Sequence, residues 1–196
     1  NIQAKGDILQ FVCLNKLSLI CVLDDTGTIT IASARSGAPY LTLDLPSYLD
    51  DTTDFDAEDW SIEATETGSL LAWSRNLDDP LLSFDPGMGI LNWAVDNEGA
   101  NSLAIAEDGA TCTTARFEEG SFICKQIDLN NGETLRTVRE DIPEADATKE
   151  RFPSCLSPDN SHLYLGLCDR IIQASFNDES AGVAALSSRC LPGIFS

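Results

Sequence analysis

Apolar and polar positions alternate along most of this chain in short runs broken by turns, and residues 18–46 show the pattern most clearly. Residues 18–23 form an apolar run that Asp24-Asp25-Thr26-Gly27 ends in a tight turn. Residues 28–34 then alternate polar and β-branched side chains, and Ser36-Gly37 turns the chain into 40–45. Period-two alternation bounded by Gly turns predicts three consecutive antiparallel strands. An earlier apolar run, 8–14, is turned back by Asn15-Lys16, which gives four strands before Pro46.

The pattern resumes beyond an acidic stretch. A second unit runs through 60–64, 69–74 and 81–84, with turns at Thr67-Gly68 and 76–80. A third opens at 90–95, continues through 102–106 and 111–117, and adds 121–129 and 133–138 across Asn130-Asn131-Gly132. A fourth starts at 152–156 and turns at Ser157-Pro158-Asp159-Asn160, where Pro presets φ and the Asx side chains close the loop. It continues through 163–168 and 170–176, with one more strand near 183–186, while 140–151 is polar and reads as a linker or one short surface helix. Gly27, Gly68 and Gly109 lie 41 residues apart, a spacing within the period of four-stranded propeller blades. The expected fold is therefore all-β, a β-propeller-type repeat of four-stranded antiparallel blades over 7–46, 60–86, 90–139 and 152–187. About four blades fill the whole chain, whereas propellers often have more. The expectation is a partial propeller completed by another chain or segment.

Residues 27–37, GTITIASARSG, resemble the blade pattern of quinoprotein-like propellers, in which a Gly turn precedes an alternating strand that ends in Ala-x-x-x-Ser/Thr-Gly. Residues 120–132, GSFICKQIDLNNG, are a looser copy. Residues 68–84, with Trp73, are a third that lacks the closing Gly, and 152–168 look like the opening hairpin of a WD40 blade. The repeat style is also similar to the luminal propeller of the ER membrane protein complex, subunit 1. These resemblances imply architecture only. No Gly-His or Trp-Asp pair marks a WD40 repeat, and Leu43 and Thr137 stand where quinoprotein blades carry a Trp beyond the second Gly. Vicinal cysteines are absent as well, so no cofactor is expected.

Charge narrows the partners. The chain holds 12 Lys and Arg against 32 Asp and Glu, a formal net charge of −20. Such a surface repels phosphate backbones and anionic headgroups and attracts basic polypeptides. Neither nucleic acid nor direct membrane contact is expected, and no apolar run reaches the length of a membrane span. The plainer alternative is that acidic loops only confer solubility and blunt sheet edges. A start at Asn1 without a signal-like run reads as a processed or excised segment. The compartment stays open between cytoplasm and ER lumen or secretory pathway.

Seven cysteines, at 13, 21, 112, 124, 155, 168 and 190, show no metal-binding spacing. Cys13 with Cys21, Cys112 with Cys124, and Cys155 with Cys168 each straddle one predicted turn. Two arrangements fit: three hairpin-bridging disulfides with Cys190 unpaired, or buried thiols acting as small apolar side chains. No Asn-x-Ser/Thr sequon is present.

No catalytic signature stands out. The one histidine, His162, falls beside a surface turn. The acidic run Asp50, Asp51, Asp54, Asp56, Glu58 and Asp59 lacks the Gly and the distal Glu that close an EF-hand loop, so no metal is expected. Trp60, Trp73 and Trp93 fall in predicted strands as core or interblade packing, or else as exposed anchors. The expected function is a non-catalytic protein-interaction scaffold whose six acidic residues contact a basic partner. The alternative is a carbohydrate-binding protein or glycoside hydrolase using Trp and carboxylates on one face.

Overall fold

In the computed structural model, residues 4–49, 55–96, 98–118, 120–141, 150–167 and 170–176 are described, together with the backbone of 182–186. They form sixteen strands in four antiparallel sheets, each taken from consecutive chain and ordered as the strands follow one another. The first sheet is β1 (Ile8–Leu14), β2 (Leu19–Asp24), β3 (Thr28–Ser33) and β4 (Pro39–Asp44); the second is β5 (Trp60–Ala64), β6 (Leu70–Ser74), β7 (Leu81–Asp85) and β8 (Ile90–Val95). The third is β9 (Ser102–Ile105), β10 (Thr111–Glu118), β11 (Ser121–Asp128) and β12 (Thr134–Asp141). The fourth is β13 (Ser154–Leu156), β14 (His162–Gly166), β15 (Ile171–Ser175) and β16 (Gly182–Leu186).

The chain divides into two compact units. One comprises Asn1–Ala100 with Leu129–Glu133, and the other Asn101–Asp128 with Thr134–Ser196. In the first unit, alternation places Cys21, Leu23, Ile29 and Ile31 on one face of the first sheet. There they pack with Ile62, Leu70, Ala72, Leu82 and Phe84 of the second. The strands β1 and β5 are joined by one side chain: Gln10 Nε2 donates to the Ile62 carbonyl at 2.9 Å and Gln10 Oε1 accepts the Ile62 N–H at 2.9 Å. In the second unit the core holds Ala115, Phe117, Phe122 and Cys124 of the third sheet with Leu163, Leu165, Ile172 and Ala174 of the fourth. Ser102 and Ser154 meet there through their hydroxyls.

Three sequence expectations change. Residues 90–95 do not open the third unit; they pair antiparallel with β7 as the outer strand of the second sheet. That removes one of the five strands expected in the third unit and leaves the four of its sheet. Second, the 41-residue glycine spacing links turns that are not equivalent. Gly27 lies between the second and third strands of its sheet, whereas Gly68 and Gly109 lie between the first and second. The matching first turns end at Ser18, Gly68, Gly109 and Asn160, each closing on the residue three before it and each with positive φ: 52°, 100°, 68° and 57°. Third, the blade said to lack a closing glycine has one, Gly89, between β7 and β8, matching Gly37 and Gly132. In each of these three sheets the outer strand bulges at the third residue after that glycine, Tyr40, Asn92 and Leu135.

Register also sets the thiols apart. Cys21 faces Val12 rather than Cys13, and Cys124 faces Ala115 while Cys112 faces Ile127. Neither expected pair therefore shares a face, and none of Cys13, Cys21, Cys112, Cys124 and Cys155 is in a disulfide. Cys168 and Cys190 lie outside the described residues. Burial, with Cys13 adding to it, pushes the Cys21 thiol up to about 12, so it stays neutral and packs as a hydrophobe.

Candidate functional site

Of the six acidic residues expected to meet a partner, Asp50, Asp51 and Asp54 lie outside the described residues. The other three sit on one 3-10 turn, Ala57–Asp59, and its leading residue. Asp56 caps that turn by accepting the Glu58 N–H at 3.0 Å. Ala57 is buried beneath it, and Phe55 stacks on Trp60 with ring centroids 6.3 Å apart. Asp56 and Glu58 are exposed. Asp59 is not presented in the same way: its Oδ1 pairs with Arg75 Nη2 at 2.8 Å, and the same guanidinium donates to the Glu58 carbonyl at 3.0 Å. The acidic run is thus divided by role, with Asp59 fastening the turn to the second sheet and Asp56 capping that turn, while Asp56 and Glu58 remain exposed.

Sequence reading passed over the buried carboxylates. Asp24, fully buried, accepts the backbone N–H groups of Lys5 and Gly6 on one oxygen, and those of Thr26 and Thr28 with the Thr26 hydroxyl on the other. Burial alone would raise this carboxyl. The hydrogen bonds from Thr26, Gly6 and Thr28 outweigh it and hold the group below the usual carboxylate range. The signal was the Asp-Asp-Thr-Gly-Thr turn, whose first residue can close an Asx turn. Asp79 moves the other way. Burial raises its pKa, hydrogen bonds from Ser74 and Asn76 offset part of the rise, and the neighbouring Asp59 and Asp78 carboxylates add to it.

His162 opens β14 beside the β13–β14 turn. Its Nδ1 lies 2.6 Å from Ser161 Oγ, and that hydroxyl donates to Asp159 Oδ1 at 2.7 Å. Donation from Ser157 and Ser161 lowers Asp159 to about 2. The carboxylate therefore orients hydroxyls and not the imidazole, which is a turn-closing network and not a relay to a nucleophile. The tryptophans are Trp60, 2% exposed, Trp73, 6%, and Trp93, 8%. Buried rings offer no stacking platform for a sugar, which removes the aromatic basis of the carbohydrate reading. Trp93 instead donates its Nε1–H to the Leu129 carbonyl at 3.0 Å. Among the described residues no group of three or more His, Cys, Asp or Glu is arranged to hold a metal ion, and no helix is long and apolar enough to cross a membrane.

No family model and no curated protein matches the chain. Solved structures do. The chain is similar to a structure described as the complex of KlAtg21 with the coiled coil of AgAtg16, with TM-score 0.60 and 13% identity over 91% of this chain and 55% of that one. It is also similar to a mitotic checkpoint complex, with TM-score 0.56 and 14% identity over 85% of this chain and 48% of that one. The chain spans about half the length of the structures it matches. These neighbours are WD40-type propeller proteins. Their likeness, with the four-stranded antiparallel sheets, establishes an all-β fold of propeller type, a partial propeller of about four blades.

Proposed function

We propose that the chain is a non-catalytic protein-interaction module, with the acidic segment around Asp50, Asp51, Asp54, Asp56, Glu58 and Asp59 receiving a basic partner. The observation that carries the reading is the fastened 3-10 turn, on which Asp56 and Glu58 are exposed. The Asp56 carboxylate, held by the Glu58 N–H, loses little side-chain freedom on binding, and a net charge of −20 steers cations toward the segment. Both structural neighbours are described as complexes, which agrees with an assembly role. Further blades supplied by another chain or segment belong to the same proposal, and what supports them is β1, where Ile8 and Phe11 are 56% and 65% exposed.

The test is selection of displayed random peptides on the immobilised chain, followed by titration of the winners against salt. The expected ligands are rich in Lys and Arg. Their affinity falls as salt rises, and it falls about tenfold when the six acids are replaced by Asn or Gln. Ligands without basic residues, or affinity unchanged in that variant, would remove the acidic contact.

A further inference from the structure

The outer strands of the first unit carry an apolar patch that the acidic contact leaves unused. Tyr40 on β4, Met88 in the β7–β8 turn and Ile90 on β8 are 62%, 67% and 50% exposed. They are neighbours in space and not scattered singly. Tyr40 Oη donates to the Gly87 carbonyl at 2.8 Å, which fixes the ring against the turn that carries Met88. The Leu41 side chain lies so close to Gly89, the residue between Met88 and Ile90, that a Cβ there would stand 3.1 Å from it. Exposed apolar surface of this kind marks a contact site, and Tyr and Met are enriched where partners dock.

Two features select the occupant. The bulges at Tyr40 and Asn92 interrupt both outer edges, so an added strand would meet a broken ladder, while the bulged side chains point outward as knobs. Charge supplies the second. The sequence has no Lys or Arg between Arg75 and Arg116 but holds Asp85 beside the β7–β8 turn, and Arg35 is the one basic residue of the β3–β4 hairpin. Asp85, whose Oδ1 accepts the Gly87 N–H at 2.8 Å, stands at the root of the turn, and exposed Asp44 ends β4. We infer that the patch of Tyr40, Met88 and Ile90 docks an amphipathic helix of a basic protein, its apolar stripe on the patch and its Lys or Arg flanks over Asp44 and Asp85. This rests on reading the chain as an interaction module and deepens it by naming a second contact and its ligand chemistry.

The probe is a fluorescent synthetic helix of Leu and Lys with all Leu on one face, compared by anisotropy at physiological salt with an isomer of the same composition and scattered Leu. The amphipathic peptide is expected to bind more tightly, and Tyr40→Ser/Met88→Ser/Ile90→Thr to weaken it about tenfold. The variant with the six acids neutralised is expected to keep most of that affinity. Should the triple variant unfold by circular dichroism, Met88→Arg carries the test, because a like charge on an exposed turn repels the Lys flanks without touching the core. Equal affinity for the two peptides, no binding of either, or affinity untouched by the patch substitutions would overturn the inference. If the neutralised variant alone loses selected ligands, the proposed function stands and the patch falls. If the patch alone matters, the acidic contact falls and the patch stands.

Discussion

At the residue scale the clearest lesson lies in two buried carboxylates of one unit whose pKa values move in opposite directions. Asp24 receives five hydrogen bonds, enough to outweigh its burial, while Asp79 is desolvated beside other acids. Stability should respond accordingly. With its folded pKa below the unfolded value of about 3.9, Asp24 contributes stability that is fully present above pH about 4 and fades as pH falls through the folded value. Exposed Asp159 acts in the same direction in the other unit, where water shares the load. Melting temperature is therefore expected to drop on acidification below pH about 4. In Asp24→Asn, whose amide would turn a donor toward N–H groups, stability should be lower by about 1–3 kcal/mol at neutral pH and that drop shallower. An Asp24→Asn curve parallel to the parent's would show that the Lys5–Gly6 attachment rests on something else.

At the element scale the turns explain what could and could not be read. Strand positions were legible because period-two alternation is a local property, and β2, β3 and β4 fall where the apolar runs put them. The grouping of strands was less so. A glycine marks a turn but not which turn, and Ser18 and Asn160 take the left-handed position that Gly68 and Gly109 hold elsewhere, leaving no glycine to count. Of the acidic run, the exposure of Asp56 and Glu58 followed from composition. The capture of Asp59 did not, because Arg75 comes from the next strand's end and pairing across a hairpin is not a composition signal. Equivalent turns also make a controlled comparison. Gly27 and Gly120 both follow the second strand of their sheets, at φ 78° and 71°. A Cβ at Gly27 would stand 2.3 Å from the Phe55 ring, whereas one at Gly120 meets nothing within 4 Å. Gly120→Ala should cost about 1–2 kcal/mol of backbone strain, and Gly27→Ala that amount plus about 1–3 kcal/mol of overlap, read by urea unfolding. Equal losses would mean that Phe55 moves aside freely.

For the whole molecule, charge and apolar exposure oppose one another. A net charge of −20 keeps copies apart, yet Phe11, Tyr40 and Met88 are each more than 60% exposed. Salt shortens the reach of the repulsion and leaves the apolar attraction in place. Light scattering should therefore give a mass that rises from that of a single chain as sodium chloride is raised from about 0.01 M to about 1 M, and rises less in Phe11→Ser/Met88→Ser. A mass that falls with salt would identify charge pairing as the source of association instead.

Each sheet is drawn from one uninterrupted length of chain, with every strand beside the one before it. That arrangement has a consequence for biosynthesis. A nascent chain leaving the ribosome carries the complete first sheet as soon as Asp44 has cleared the exit tunnel, and no strand waits for a partner still to be translated. The faces of the sheets, and not their hydrogen-bonded ladders, are what stays uncovered until the next stretch arrives.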